Sequence, residues 1–194
     1  PSLNHDVFEL YGQAVPEGES GASPRPVVLP TGEGALKRVS GLLNRLREQA
    51  GIAHRAHVTS RNDFPTASGL ASSASAFAAL AVAGASAAGL DLSASTLSDL
   101  ARRTSVSSAR SLFGGYVELP AGKEGDAFLC ASPLVPAEHL PLRLVVAVTR
   151  EGPKDGGSSD GMLLTARTSV YYPAWVETAP ALFGIIRDAL LRRD

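Results

Sequence analysis

Residues 65–76, Pro-Thr-Ala-Ser-Gly-Leu-Ala-Ser-Ser-Ala-Ser-Ala, form a turn rich in Gly and Ser that runs straight into an Ala-rich stretch. Such a turn gathers backbone N–H groups, small hydroxyls and the positive end of a helix dipole at one point, which suits the phosphates of a nucleotide. Small side chains let an anion reach the backbone. The run is not a Walker loop: no Gly-Lys-Ser/Thr follows it, and no strand of clear parallel-sheet character precedes it. On composition alone, the same residues read equally well as a capped helix start, with Ser72 and Ser73 as the caps.

Two further groupings have chemical potential. If a helix continues through Arg110, then Ser107 and Arg110 share a face, with Ser105 nearby. Two hydroxyls and a guanidinium fork can bind a carboxylate or a phosphate. Spacing alone favours the plainer alternative, a Ser-rich helix start with Arg reaching into water. The third grouping is the Gly/Ser loop at 152–162, which contains Lys154 and Ser158 and ends at Met162. It is either an anion site or a surface loop with a solvated Lys.

Other chemistry finds no support. His5, His54, His57 and His139 lack metal-ligand spacing. There is no Gly-x-Ser-x-Gly elbow. Asp6, Asp63, Asp99, Asp126, Asp155 and Asp160 suggest no acid–base pair. Tyr171, Tyr172 and Trp175 read as core or interface anchors.

The elements that must position these residues follow from periodicity. Phe8–Tyr11 reads as a short strand turning at Gly12, and residues 16–32 as a loop. Leu36, Val39, Leu42, Leu43 and Leu46 predict an amphipathic helix ending near Gly51. Residues 55–60 alternate like a half-buried strand. A helix is predicted over 73–88, its small residues allowing neighbouring backbones close. Ser93 is the N-cap of a second helix reaching about Arg103. Strands are predicted at 116–119 and 127–131, paired as a hairpin, and a buried strand at 142–149. Helical material begins near Met162, and a last amphipathic helix follows Trp175. Strands and helices without strict βαβ alternation predict an α+β fold.

The chain has 194 residues and a net charge of −1, which argues against a nucleic-acid partner. Its single cysteine, Cys130, excludes an intrachain disulfide and suits a reducing, cytoplasmic setting. No apolar run reaches the length of a membrane span. Arg far outnumbers Lys, so phosphate contacts here would rest mainly on Arg.

The run Asn62-Asp63-Phe64-Pro65-Thr66-Ala67-Ser68-Gly69-Leu70-Ala71-Ser72-Ser73-Ala74 closely resembles the nucleotide loop of the diphosphomevalonate decarboxylases, members of the GHMP kinase superfamily. Ser105-x-Ser107 followed by Arg110-Ser111-Leu112-Phe113-Gly114-Gly115-Tyr116-Val117-Glu118 resembles that family's substrate segment. Residues 154–162 resemble its third signature, and Thr168-Ser169 with Tyr172-Pro173-Ala174-Trp175 fits its bacterial members. The three motifs stand in the family's order and span most of residues 54–176.

The resemblance implies a GHMP fold. Its domain like ribosomal protein S5 would occupy residues 1–140, incomplete at its start. A ferredoxin-like domain would begin over 141–194 and be truncated. The implied activity uses ATP and Mg²⁺: the tertiary C3 hydroxyl of mevalonate 5-diphosphate is phosphorylated, and phosphate and CO₂ then leave to give isopentenyl diphosphate. By the same resemblance Arg110 is catalytic and orients the substrate carboxylate, and Ser105, Ser107, Ser158 and Met162 contact substrate. Asn62, Ser68, Gly69, Leu70, Ala71, Ser72, Ser73 and Lys154 serve the nucleotide. A cytoplasmic homodimer is implied, acting on a small phosphorylated hydroxy acid. Alternatives are action on a related acid such as mevalonate 5-phosphate, or nucleotide binding without turnover.

The chain departs from the family pattern in two ways. Thr104 and Val106 stand where small residues, mostly Gly, are usual. The family's upstream Lys-Tyr-Trp-Gly-Lys and downstream Asp-Ala-Gly-Pro segments are absent, so no catalytic Asp can be named and a fragment is expected.

Overall fold

A computed structural model describes residues 5–14, 25–29, 32–64, 70–145 and 158–194. The first sheet has strand order β2-β1-β3, built from β1 (Val7–Ala14), β2 (Arg25–Leu29) and β3 (His57–Arg61). β1 runs antiparallel to β2, with Leu10 opposite Leu29, and parallel to β3, with Phe8 opposite Val58. Three expectations change here. β1 continues through Gly12, because residues 12–14 pair with residues 25–27 of β2. β2 lies inside the stretch read as a loop, whose Pro and Gly content outweighed its short Val27-Val28-Leu29 run. A parallel strand does precede the Gly/Ser turn. β3 escaped that reading because parallel strands usually have both faces covered and read as continuous apolar runs, whereas β3 alternates exposed and half-buried residues.

α1 (Glu33–Ala50) ends at Gly51 in the left-handed region, as its sequence predicts. Its Val39, Leu42, Leu43 and Leu46 are buried against α2 (Ser72–Ala87) and the sheet. Phe77 of α2 joins Val39 and Leu43, with Phe8 and Val58 packed beside them. Close helix packing depends on Gly84: a Cβ there would stand 2.7 Å from Leu46 Cδ1. Asp6, at the entry to β1, accepts from the Ala56 amide (2.9 Å) and from Arg47 Nη2, while Arg47 Nε donates to His54 O (2.7 Å). This pair ties the end of α1 to the starts of two strands.

α3 (Ala94–Arg102) starts at Ser93, whose hydroxyl accepts from the Thr96 amide. It buries Leu100 and Ala101 against Leu42, Leu46, Ala81 and Ala85. A 3₁₀ helix, η1 (Val106–Leu112), packs on both α2 and α3. β4 (Tyr116–Glu118) pairs antiparallel with β5 (Ser132–Val135). The expected hairpin partner at 127–131 is therefore displaced. Its backbone groups are taken by α3 side chains: Leu129 N–H by Asp99, Ala131 N–H by Ser98, Leu129 O by Arg102 and Ala127 O by Arg103. Gly115, at φ +74, makes the close turn into β4.

A short 3₁₀ helix, η2 (Ala137–His139), follows β5. Residues 142–145 are neither strand nor buried: Leu144 is 91% and Val145 97% exposed. The expected strand fails there because an apolar run becomes a buried strand only where a neighbour supplies ladder and cover; the rest of it, 146–149, lies outside the described residues. α4 (Ser158–Thr168) begins four residues earlier than expected, at Ser158 rather than Met162. α5 (Tyr172–Arg192) carries Pro173 in its first turn, where a missing N–H costs nothing. Tyr171 and Trp175 are largely exposed rather than core residues. α5 is joined to the preceding elements by Arg187 with Glu118 (2.9 Å) and by His139 with Leu190 O (2.9 Å).

Candidate functional site

The head of α2 is built from residues with almost no side chain. Its N-cap is Ala71, in the left-handed region at φ 54 and ψ 35, and no side chain caps it among the described residues. Ser72 and Ser73 are thus the first two helical residues, not caps. The Ser72 carbonyl accepts from Ser75 Oγ (3.1 Å). A residue with a Cβ reaches the left-handed region at a cost of about 1–2 kcal/mol, and strain of this kind gathers at ligand sites. Leu70 is half-buried beside it. Asn62 is buried at the C-terminal end of β3, its N–H donating to Tyr11 O (3.0 Å). β3 thus ends just before, and α2 begins just after, the motif, and a helix N-terminus is a place where an anion is favoured. Ser68, Gly69 and Lys154 lie outside the described residues.

The second group does come together, by a different route from the one expected. α3 stops at Arg102, and Ser105 is extended at φ −155 and ψ 120. η1 then begins afresh. At three residues per turn, a 3₁₀ helix eclipses side chains three apart, which stacks Ser107 under Arg110. The Ser105 and Ser107 hydroxyl oxygens are 3.4 Å apart. Arg110 is exposed and the two serines are half-buried. Two adjacent hydroxyls and an exposed guanidinium one 3₁₀ turn after Ser107 are groups of the kind that can bind an anion.

What fixes η1 was missed in the sequence. Ser98, fully buried in α3, donates to Ala109 O (2.9 Å) and accepts from the Ala131 N–H (2.9 Å). It pins the residue before Arg110. Next to it, Asp99 receives Arg102 Nη2 (2.7 Å), Arg103 Nε (2.7 Å) and the Leu129 N–H (3.0 Å). Burial pushes the Asp99 carboxyl up, but the hydrogen bonds from Arg102, Leu129 and Arg103 and the Arg103 charge outweigh it and hold it below its ordinary value. The Asp99-x-x-Arg102-Arg103 spacing was a legible sign of this cluster; nothing in the sequence singled out Ser98. The buried hydroxyls of Thr104, just before η1, and of Ser108, within it, have no partner among the described residues.

Met162 stands elsewhere, lining a cavity of about 640 Å³ with Thr165, Ser169, Tyr172 and Trp175. Of Ser158 only its place at the first position of α4 is described. Among the described residues no three His, Cys, Asp or Glu side chains gather as metal ligands, and no helix is long and apolar enough to cross a membrane.

This α+β architecture is the GHMP kinase fold. The chain belongs to the diphosphomevalonate decarboxylase-like N-terminal domain family, which matches residues 29–130. The diphosphomevalonate decarboxylase of Debaryomyces hansenii is 40% identical over 141 residues, 71% of this chain and 36% of that protein. A solved structure described as MDDEF in complex with MVAPP, AMPPCP and magnesium has a TM-score of 0.74 and 35% identity, covering 99% of this chain and 54% of its own. Mevalonate diphosphate decarboxylase from Staphylococcus aureus has a TM-score of 0.75 and 32% identity, with 99% and 53% covered. The chain thus spans about a third to a half of the length of these relatives.

Proposed function

We propose that the full-length protein catalyses the ATP-dependent decarboxylation of mevalonate 5-diphosphate to isopentenyl diphosphate. The carrying observation is the start of η1, where the Ser105 and Ser107 hydroxyls are paired and Ser107 stands one turn before an exposed Arg110. Support comes from the 35% identity to a protein solved with MVAPP, AMPPCP and magnesium.

In this reading Arg110 grips the substrate carboxylate with its fork and turns it toward the bond that will break. Ser105, Ser107 and Ser158 donate hydrogen bonds to the phosphorylated end, and Met162 contacts the substrate. Catalysis is then mostly positioning and electrostatics. ATP, when bound, supplies the phosphoryl group that makes the tertiary C3 hydroxyl able to leave. The head of α2 fits such a group: small side chains, no side-chain cap among the described residues, and a helix dipole. Leu70, Ala71, Ser72, Ser73 and Asn62 would hold its phosphates there, with Ser68, Gly69 and Lys154 assigned by resemblance. Mg²⁺ usually binds through substrate phosphates and few protein groups.

Residues 1–140 are read as the N-terminal domain and 141–194 as the start of the second. A cytoplasmic homodimer completes the proposal. The test is an assay of the full-length protein with ATP, Mg²⁺ and mevalonate 5-diphosphate. Equal amounts of ADP and CO₂ are expected. ADP without CO₂ would make it a kinase, and nucleotide binding without ADP a non-catalytic relative; either result defeats the decarboxylase reading.

A further inference from the structure

Arg110 is exposed, and its side chain makes no hydrogen bond or ion pair among the described residues. Where its guanidinium can reach is therefore set by the backbone that carries it. The peptide just before it is held from α3: Ser98 Oγ donates to Ala109 O (2.9 Å) and accepts from the Ala131 N–H (2.9 Å). A serine hydroxyl has one proton to give; with the Ala131 N–H on its acceptor side, that proton goes to Ala109 O. Ala109 O and the Arg110 nitrogen belong to one planar, rigid peptide unit. Holding that oxygen thus fixes where the Arg110 Cα leaves the packed core. Ser98, Ala109 and Ala131 are all buried, so both hydrogen bonds lie away from water.

We propose that Ser98 is a positioning residue for the reaction: it acts through Arg110, by holding the Ala109–Arg110 peptide where the guanidinium meets the substrate carboxylate. The inference rests on the decarboxylase reading above, in which Arg110 orients that carboxylate. It gives Ser98 no contact with substrate or nucleotide. Misplacing an orienting group by about 1 Å can cost roughly a hundredfold in rate. Loss of the Ser98 hydroxyl therefore acts on decarboxylation and leaves nucleotide binding alone.

The experiment is a double-mutant cycle in the full-length protein: wild type, Ser98→Ala, Arg110→Ala and the double variant. Release of CO₂ from carboxyl-labelled mevalonate 5-diphosphate gives kcat/KM even for slow variants, and fluorescent-nucleotide titration gives ATP affinity. S98A is expected to lower kcat/KM about tenfold beside an intact Arg110 and less than about twofold in the R110A background, because a group that acts through another loses its effect once that other is gone. ATP affinity is expected to stay within about threefold in both backgrounds. Equal losses in the two backgrounds overturn the proposal and make Ser98 a support of the fold alone, and so does a parallel loss of ATP affinity. Where thermal unfolding shows that S98A does not fold, the same cycle is read on Ser98→Cys, which keeps a weaker donor in place. All these outcomes leave the decarboxylase reading standing. A wild type that releases no CO₂ ends that reading and the inference with it.

Discussion

Arg110 owes its exposure to the 3₁₀ winding of η1, which stacks it over Ser107 rather than turning it into the packing with α2 and α3. Its proposed task is one charge-assisted fork on a carboxylate. Arg110→Ala in the full-length protein should lower kcat/KM for decarboxylation by roughly a hundredfold or more, with ATP affinity changed less than about threefold. Fluorescent-nucleotide titration beside the CO₂ assay checks this, and equal loss of both would show the role to be misassigned. Asp99 invites a pH measurement. Its folded-state pKa lies below its ordinary value, so its ionisation stabilises the fold above the unfolded value of about 3.9. That contribution is lost as pH falls through the folded value. Asp99→Asn should therefore cost about 2–3 kcal/mol at pH 7, and the gap to wild type should close below about pH 4 in urea unfolding series. A gap independent of pH would exclude the charge as its source.

At the scale of elements, η1 stays in place because α3 reaches across it. The Ser98 hydroxyl joins Ala109 O to the Ala131 N–H, so one buried group links the Arg110 segment to the residue just before β5. Ser98→Ala leaves a buried donor and a buried acceptor unsatisfied and should destabilise by roughly 1–3 kcal/mol. Ser98→Thr keeps the hydroxyl, and recovery of kcat by this variant would assign the loss to the hydrogen bonds. Gly115 is a second fixed point. A Cβ there would lie 2.6 Å from Val135 O at a φ of +74, so Gly115→Ala meets both strain and a backbone clash. A loss of about 2 kcal/mol or more is expected in thermal unfolding. A neutral result would mean that β4 and β5 part easily.

At the scale of the whole molecule, packing is uneven. α1 and α2 contribute to two adjoining buried clusters, one of them shared with α3 and covered by Leu112 of η1, whereas no residue of α5 is buried. Leu144, Val145, Trp175, Ile185 and Ile186 are all well over half exposed. A face of that kind on an isolated chain binds hydrophobic dyes and drives association. Expressed as these 194 residues, the chain should bind anilinonaphthalene sulfonate and sediment in a concentration-dependent way. A monodisperse, dye-negative sample would show that the chain covers this face itself.

How much could be read beforehand depended on whether a signal was local. The apolar stripe of α1 and its closing Gly51, the Ser93 cap and the Gly/Ser entry to α2 are set by neighbours along the chain. The motifs at 62–74 and 105–118 likewise carried the family on residue identity and spacing alone. Long-range pairing was decided elsewhere. Val27–Leu29 became a strand only because β1 had an open edge, and 127–131 lost its hairpin because Ser98, Asp99, Arg102 and Arg103 took its backbone groups. The Ser105–Ser107–Arg110 grouping was visible as three letters. Its geometry was not, since the break after Arg102 and the tighter winding of η1 come from packing on α2 and α3, which no run of adjacent residues encodes.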